Sequence, residues 1–427
     1  MMTSQTNTAE EQQNGLPFWK GALVFLISCI VIVSRRPDAV FHAQFYAEDG
    51  HVWFADAYNF GWWPAIFRTW GGYFQTLPRL AAALALLVPL LRAPLLLNLI
   101  AIGFLALPVS VMLSARSAAW GSLRFRALLA AFYLVLPNCN EISYGITNAQ
   151  WPLAVCAFLL LVAPMPRGTP GRLFCFIVLI LCGLTGPFCI FFLPIACFQV
   201  WQHRDRWHLV PVGIFAACCM VQSWAMLFLA PAARAHRELG ATPVLFGRIL
   251  GSQIYLGALL GNNGLSAAPG FWVTASLLFV AVGGTVLIAE CSRKSPIAMK
   301  LFLAFSSVIF AAGLMNPFEW DHPTIPVWQV YAGVPGLRYW FLPTLAFAWA
   351  LPYGWFSRFP SVKFISTALL CLMCLGVLRD WEHRPFTETH LAESIQRLDA
   401  APAGSAVTIQ EYPQGWTLTL VKHPPSH

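Results

Sequence analysis

The chain reads as a succession of apolar runs, each the length of a buried or lipid-facing helix, separated by short polar segments. Candidate membrane spans fall at roughly 17–34, 94–114, 125–137, 150–164, 172–184, 186–201, 208–230, 270–290, 297–315, 339–356 and 363–379. Several fall short of the ~20 residues that a straight helix needs to cross a hydrocarbon layer about 30 Å thick. The recurrence still predicts an all-α multi-pass membrane protein with about 11 transmembrane helices. The segment 251–266 reads as a further half-span, and its Gly257–Gly261 spacing favours close helix packing.

One run departs from the series. "LAAALALLVPLL" at 80–91 is short, bounded by Arg79 and Arg92, with Pro78, Pro89 and Pro94 around it. Its length predicts an interfacial or re-entrant helix rather than a span. With 80–91 left out of the count, the loops 115–126, 164–172, 203–206, 291–294 and 357–363 share one side, and all are net basic. The tendency of Lys and Arg to stay cytoplasmic makes that side the cytoplasm. The opposite side receives 35–76, 138–150, 231–250, 316–338 and the C-terminal tail, with Glu48, Asp49, Asp56, Glu141, Glu319 and Asp321. Arg35, Arg36, Arg234 and Arg237 run against the pattern.

This divides the chain into three parts. Residues 1–16 are a polar cytoplasmic tail of disordered composition. Residues 17–380 form the membrane domain, whose first outer loop, 35–93, carries interfacial helices. Residues 381–427 form a small outer segment, in which 406–421 has two β-rich runs around a Pro/Gly turn and predicts a hairpin. That segment is too small to be an independent catalytic domain.

Composition sharpens this reading. Hydrophobic residues make up 58% of the 427 and charged residues 10%, where soluble domains hold about half and about a quarter. The first apolar run has no small-residue cleavage site, so it is expected to stay as an anchor and not to be removed as a signal peptide. The net charge of +8 is scattered between spans. It points to basic membrane-facing loops and away from nucleic-acid binding. The 12 cysteines lie mostly inside apolar runs and read as small buried apolar side chains. Walker loops, GxGxxG, HExxH and GxSxG are absent, which removes the usual signatures of ATP hydrolysis, zinc proteolysis and serine esterases.

Three polar clusters remain as candidate chemistry. "FYAEDGHVWF" (45–54) sets Glu48 and Asp49 side by side among aromatics, with Tyr46 before and His51 after. The ordinary role of such a pair is helix capping or an ion pair. A carboxylate sheltered by aromatics can also have a raised pKa and take a proton from a hydroxyl. Neighbouring side chains point different ways, so one of the two faces a site, and Asp49, beside flexible Gly50, is the expected one. The second cluster, "PNCNEISYGITNAQW" (137–151), offers Glu141, Asn148, Gln150 and Trp151 as partners for hydroxyl-rich ligands. In the third, "VPGLRYWFLP" (334–343), Arg338 opens a span beside Tyr339, where an Arg either snorkels to headgroups or holds a phosphate. Glu319, Asp321 and His322 are the candidates for pairing with Arg338 or for holding a divalent metal, although no tight ligand spacing joins them. No other cofactor is expected.

An acidic "YAEDG" in a first outer loop, a polar outer "NEISYGITNAQW", an outer "GLRYWFLP" and a small outer tail on about eleven spans together resemble the GT-C superfamily of membrane glycosyltransferases. The likeness is to bacterial members that use polyprenyl-phosphate sugars. It implies a catalytic acidic residue at Asp49 or Glu48, which would remove the acceptor proton, and donor phosphate held by Arg338 and, secondarily, Arg79. Tyr46, His51, Glu141, Asn148, Gln150, Trp151 and Tyr339 would then bind substrate. The implied reaction moves a sugar from its lipid phosphate to an acceptor hydroxyl, on a glycan or lipid, at the outer face of a bacterial inner membrane. The chain lacks the large outer domain and the WWD-type motif of oligosaccharyltransferases, which argues against protein N-glycosylation. The competing reading is a polytopic transporter or lipid-carrier flippase, which would place its polar residues on broken helices at mid-membrane.

Overall fold

Helix Gln150–Val162 is apolar on every face, and every residue from Trp151 to Leu161 is buried. A helix without a polar face has to be surrounded, and this one is packed by Ala93–Leu113, Thr169–Gly183 and Phe188–His203. Helix Phe341–Ala350 is buried in the same way, against Ile297–Met315 and Leu123–Leu134. The computed structural model describes residues 18–229, 238–267, 273–317 and 324–424. Metal candidates Glu319, Asp321 and His322, and also Arg234 and Arg237, lie outside the described residues.

The peripheral helices are apolar outward. Thr274–Arg293 exposes Phe279, Val282 and Val286, and Pro360–Arg379 exposes Phe364 and Leu378. Leaving such side chains in water costs about 1.5–3 kcal/mol each relative to burial, so this girdle is a lipid-facing surface. Among the described residues six helices are long and apolar enough to cross a membrane: Leu90–Leu113, Arg206–Leu229, Pro243–Ser266, Thr274–Arg293, Ile297–Met315 and Pro360–Arg379. Ile146–Val162, Thr169–Gly183 and Phe188–His203 are apolar but shorter. The protein is therefore a multi-pass helical membrane protein with one small sheet, antiparallel strands Ala406–Glu411 and Trp416–Val421. The hairpin expected at 406–421 is present.

Two segments differ from their sequence outlines. The run read as 80–91 is helical over Thr76–Ala85 instead, 10 residues or about 15 Å of helix. It buries Ala81, Ala82 and Ala85 and packs against the first-loop segments Asp49–Phe54 and Trp62–Ile66. The half-span expected at 251–266 belongs to a longer helical stretch, Pro243–Ser266. It packs lengthwise against Thr274–Arg293 and Pro360–Arg379, and further contacts join it to the loops and turns. Gly240, just before it, meets Pro326; Gln253 Nε2 donates to Ala332 O at 3.0 Å; Gly257 meets Asn138; and Asn263 N donates to Asp380.

The loops gather at two ends. At one, Arg116 Nε donates to Pro164 O at 2.9 Å, Tyr353 Oη to Trp120 O at 2.8 Å and Ser357 Oγ to Glu290 at 3.1 Å. These are the basic loops. At the other, Arg36 Nη1 donates to Ser143 O at 2.9 Å, Gly336 N to Asn138 Oδ1 at 2.7 Å and Ala47 N to Tyr412 O at 2.6 Å. Arg35 and Arg36, the exceptions to the charge pattern, are buried at this second end. Arg35 donates to the carbonyls of Leu134, Leu136 and Asp380, and Arg36 pairs with Asp38 at 3.2 Å and lies 3.7 Å from the Phe386 ring. Internal partners hold them, so lipid and potential do not decide their side.

Asp380 locks this end. Its carboxylate accepts from the backbone N–H of Asn138 at 3.0 Å, Asn262 at 2.5 Å and Asn263 at 3.0 Å. The last two are the first donors after the helix break at Gly261. One side chain thus caps a broken helix and ties it to the 138 turn and to the start of the tail. Asp380→Ala is expected to lower stability by about 3 kcal/mol or more, because each orphaned buried donor costs about 1–3 kcal/mol. Asp380→Asn, which keeps one acceptor oxygen, should fall between. Thermal unfolding of the detergent-purified variants measures both.

Candidate functional site

The four residues of "EDGH" take four separate tasks. Asp49 opens a π-helical turn, Asp49–Phe54. Its carboxylate points into the protein, accepting from Ile146 N at 2.9 Å, Thr147 N at 2.8 Å and Thr147 Oγ1 at 2.5 Å. It caps the short 3-10 turn Ile146–Ala149, two of whose N–H groups would otherwise be orphaned. Gly145, at φ 92°, lets this happen: a Cβ there would collide with Asp49 Oδ2. Gly50 has the same purpose for another carboxylate, since its own Cβ would strike Glu411 Oε2 from the C-terminal hairpin. His51 Nδ1 lies 3.2 Å from Glu411 Oε1, with the Glu411 side chain fully buried.

Glu48 remains, and it faces a cavity of about 460 Å³, a size typical of small-ligand sites. Glu48 is only 5% exposed, and its carboxylate has no hydrogen-bond partner among the described residues. Arg338, electrostatically coupled to it, lines the same cavity, as do Gln75, Thr147, Gln150 and Asn316. The Gly71–Gly72 loop brings Trp70 and Tyr73 to the wall, beside Trp53, Trp151 and Tyr339. Ile190, Phe191, Met226 and Ile309, from three helices of the bundle, add apolar side chains to the lining. The cavity lining therefore combines polar, aromatic and apolar side chains.

Of the residues expected in the site, Glu48, Arg338, Gln150, Trp151 and Tyr339 do line this cavity. The others stand behind it or apart. Asp49, expected to face the site, instead lies behind Thr147, which joins its carboxylate to Trp53 Nε1 at 2.8 Å. Glu141 holds Arg338, pairing with Nη1 at 3.1 Å and accepting its backbone N–H at 2.7 Å. Asn148 is fully buried and donates to Glu141 O at 2.7 Å. Arg79, expected at donor phosphate, is sealed in the core, 2.6 Å from Asp56 and 4.8 Å from the Trp53 ring. A buried guanidinium needs a partner, and Asp56 supplies it. Tyr46 stacks with Phe386 and Tyr412 at 5.4 and 6.2 Å, fastening the tail to the first loop. Among the described residues no group of three His, Cys, Asp or Glu is arranged to hold a metal.

Sequence reasoning missed Gln75, Thr147 and Glu411. Thr147 sits one residue from Asn148 in a motif already singled out, but nothing in one chain reveals which polar residue of a turn meets a carboxylate 98 positions away. Glu411 is a lone acid on a strand, with no local pattern to mark it.

Burial pushes the Asp49 pKa up from 3.8 to about 7, against the three hydrogen bonds that hold it down, with Glu48's charge adding to the rise. Burial raises Glu411 as well, opposed by His51. At His51 burial works downward, but the Glu411 hydrogen bond and charge outweigh it and raise the imidazole above its ordinary value.

No protein-family model matches the sequence, and no curated protein matches it either.

The Asp49 shift has a defined sign. Between about pH 4 and 7 the folded protein keeps a proton that the unfolded chain has lost, so stability falls as pH rises through that window and levels off above about 7. Asp49→Asn titrates nothing there. The Tm difference, wild type minus Asp49→Asn, should shrink from pH 4 to 7 and then stay constant. A difference independent of pH would show that Asp49 is ionised throughout.

Proposed function

We propose that the protein is a membrane glycosyltransferase of the GT-C type, moving a sugar from a polyprenyl-phosphate donor to an acceptor hydroxyl. The observation that supports this most is the Glu48–Arg338 cavity. It holds a carboxylate without a hydrogen-bond partner among the described residues and the Arg338 guanidinium, within a lining divided among polar, aromatic and apolar side chains. An amphipathic ligand with a phosphate between sugar and lipid suits that division. Its sugar would lie among Trp53, Trp70, Trp151 and Tyr339, its phosphate at Arg338, and its chain along Ile190, Phe191 and Ile309.

In this reading Glu48 takes the proton of the acceptor hydroxyl as its oxygen bonds to the anomeric carbon. The bond from that carbon to the phosphate oxygen breaks, and its electron pair leaves with the polyprenyl phosphate. Arg338 stabilises the charge that develops there, held in place by Glu141. Asp49 is a positioning residue, which fixes the Thr147 turn on the cavity wall. The shorter apolar helices, with Phe18–Arg35, Leu123–Leu134 and Phe341–Ala350 added and Pro243–Ser266 left out as a half-span, complete about eleven spans, the basic loops lie in the cytoplasm, and the cavity opens on the outer face of a bacterial inner membrane. A transporter or lipid flippase is the alternative for the same amphipathic cavity, and release of free polyprenyl phosphate separates the two.

Glu48→Gln should cut single-turnover transfer by about 10²–10⁴ while donor affinity stays within a few-fold. Arg338→Ala should weaken donor binding, since it removes a charge-assisted phosphate contact, and Arg338→Lys should restore part of it. Near-normal transfer by Glu48→Gln, with turnover lost in a folded Asp49→Asn, would move the base to Asp49.

The orientation has its own check. Ser143→Cys and Ser405→Cys should both react with a membrane-impermeant thiol reagent from outside the cell. Labelling of either only from the cytoplasmic side would reverse the assignment.

A further inference from the structure

His51 has a carefully built setting that the donor cavity does not use. The buried Glu411 carboxylate binds its Nδ1, which leaves the Nε2 edge of the ring for another partner. The His51 side chain is 26% exposed, so part of the ring is open to a ligand. Two indoles flank the ring edge-on, Trp70 at 5.7 Å and Trp416 at 5.0 Å. Trp70 also lines the cavity, whereas Trp416, 37% exposed, comes from the C-terminal hairpin.

The hairpin is fastened where it supplies these two residues. Tyr412 N donates to Phe45 O at 3.1 Å, and Ala47 N to Tyr412 O at 2.6 Å. Asn59 bonds both ways with the second strand, to Thr419 O at 2.8 Å and from Val421 N at 2.9 Å. Holding Glu411 this way is costly, because its Oε2 is buried with no partner and Gly50 must remain bare to make room. A strand used only as packing would not need a buried carboxylate.

We propose that Trp70, His51 and Trp416 form the binding site of a carbohydrate acceptor, at the threshold of the Glu48 cavity. Indole faces and edges cover the apolar C–H surface of a sugar ring, and an oriented imidazole nitrogen makes a hydrogen bond to a hydroxyl. The C-terminal hairpin is then part of the site, with Glu411 a positioning residue that aims His51. The assignment of this sugar as acceptor rests on the glycosyl-transfer reading, but the binding itself does not.

The test measures binding without turnover. Saturation-transfer NMR on the detergent-purified full chain would be run with maltotriose, chitotriose and mannotriose as probes. At least one should bind saturably. Trp416→Ala and His51→Ala should weaken it ten-fold or more, Trp416→Phe should recover part of the loss, and Glu411→Gln should fall between. Trp62→Ala, an exposed indole outside the site, serves as the comparison and should bind as wild type does. Unchanged thermal unfolding of Trp416→Ala shows that the loss is local. The proposal is overturned if none of the three sugars binds the wild type, or if Trp416→Ala and Trp62→Ala bind alike. Sugar binding that persists while Glu48→Gln keeps full transfer would defeat the catalytic reading and leave this site standing.

Discussion

A carboxylate taken into this apolar protein has to be answered by donors that the fold holds in place, and that requirement shapes the end of the bundle where the cavity lies. An ionised carboxylate without partners costs many kcal/mol in a low-dielectric interior. Asp380 is answered by three N–H groups and Asp49 by two N–H groups and a hydroxyl. Glu141 is answered by Arg338 through both its guanidinium and its N–H. Each match joins segments far apart in sequence, so the polar end is tied together by charge and the rest of the bundle by apolar packing.

Glu48 stands out because it is the exception. It is as buried as its neighbours, yet it has no hydrogen-bond partner among the described residues and faces open space. A fold that satisfies Asp49, Glu141 and Asp380 from within leaves Glu48 on the cavity wall, where solvent or a ligand can meet it. The surrounding frame is stiff. The Asp49–Thr147–Trp53 chain fixes one wall of the cavity, and Glu141 fixes Arg338 on another. Such preorganisation lets a site stabilise developing charge without reorganising at the moment of reaction.

The tail has a larger part than its size suggests. It contributes Tyr412 and Phe386 to the stack on Tyr46 and Glu411 to His51, and it begins directly after Asp380, which holds the helix break. A segment with too little core to fold alone is therefore ordered by the first loop, and in turn it completes that loop's surface.

The sequence by itself determined the solvent and the secondary structure. Runs such as 297–315 and 363–379 match their helices closely, because a stretch without polar residues must satisfy its backbone internally and so becomes a helix. The separation of basic from acidic loops was legible for the same local reason, and so was the 406–421 hairpin. Two outlines moved, 80–91 to Thr76–Ala85 and 251–266 to Pro243–Ser266, because helix ends depend on what caps and packs them. The four letters "EDGH" announced a site without saying which residue faces it. Tertiary structure alone decided that Glu48 meets the cavity, Asp49 the 146–147 amides, Gly50 the approach of Glu411 and His51 its charge. The reason is physical: a carboxylate's role is set by the donors that surround it, and here those donors come from positions about a hundred and several hundred residues away.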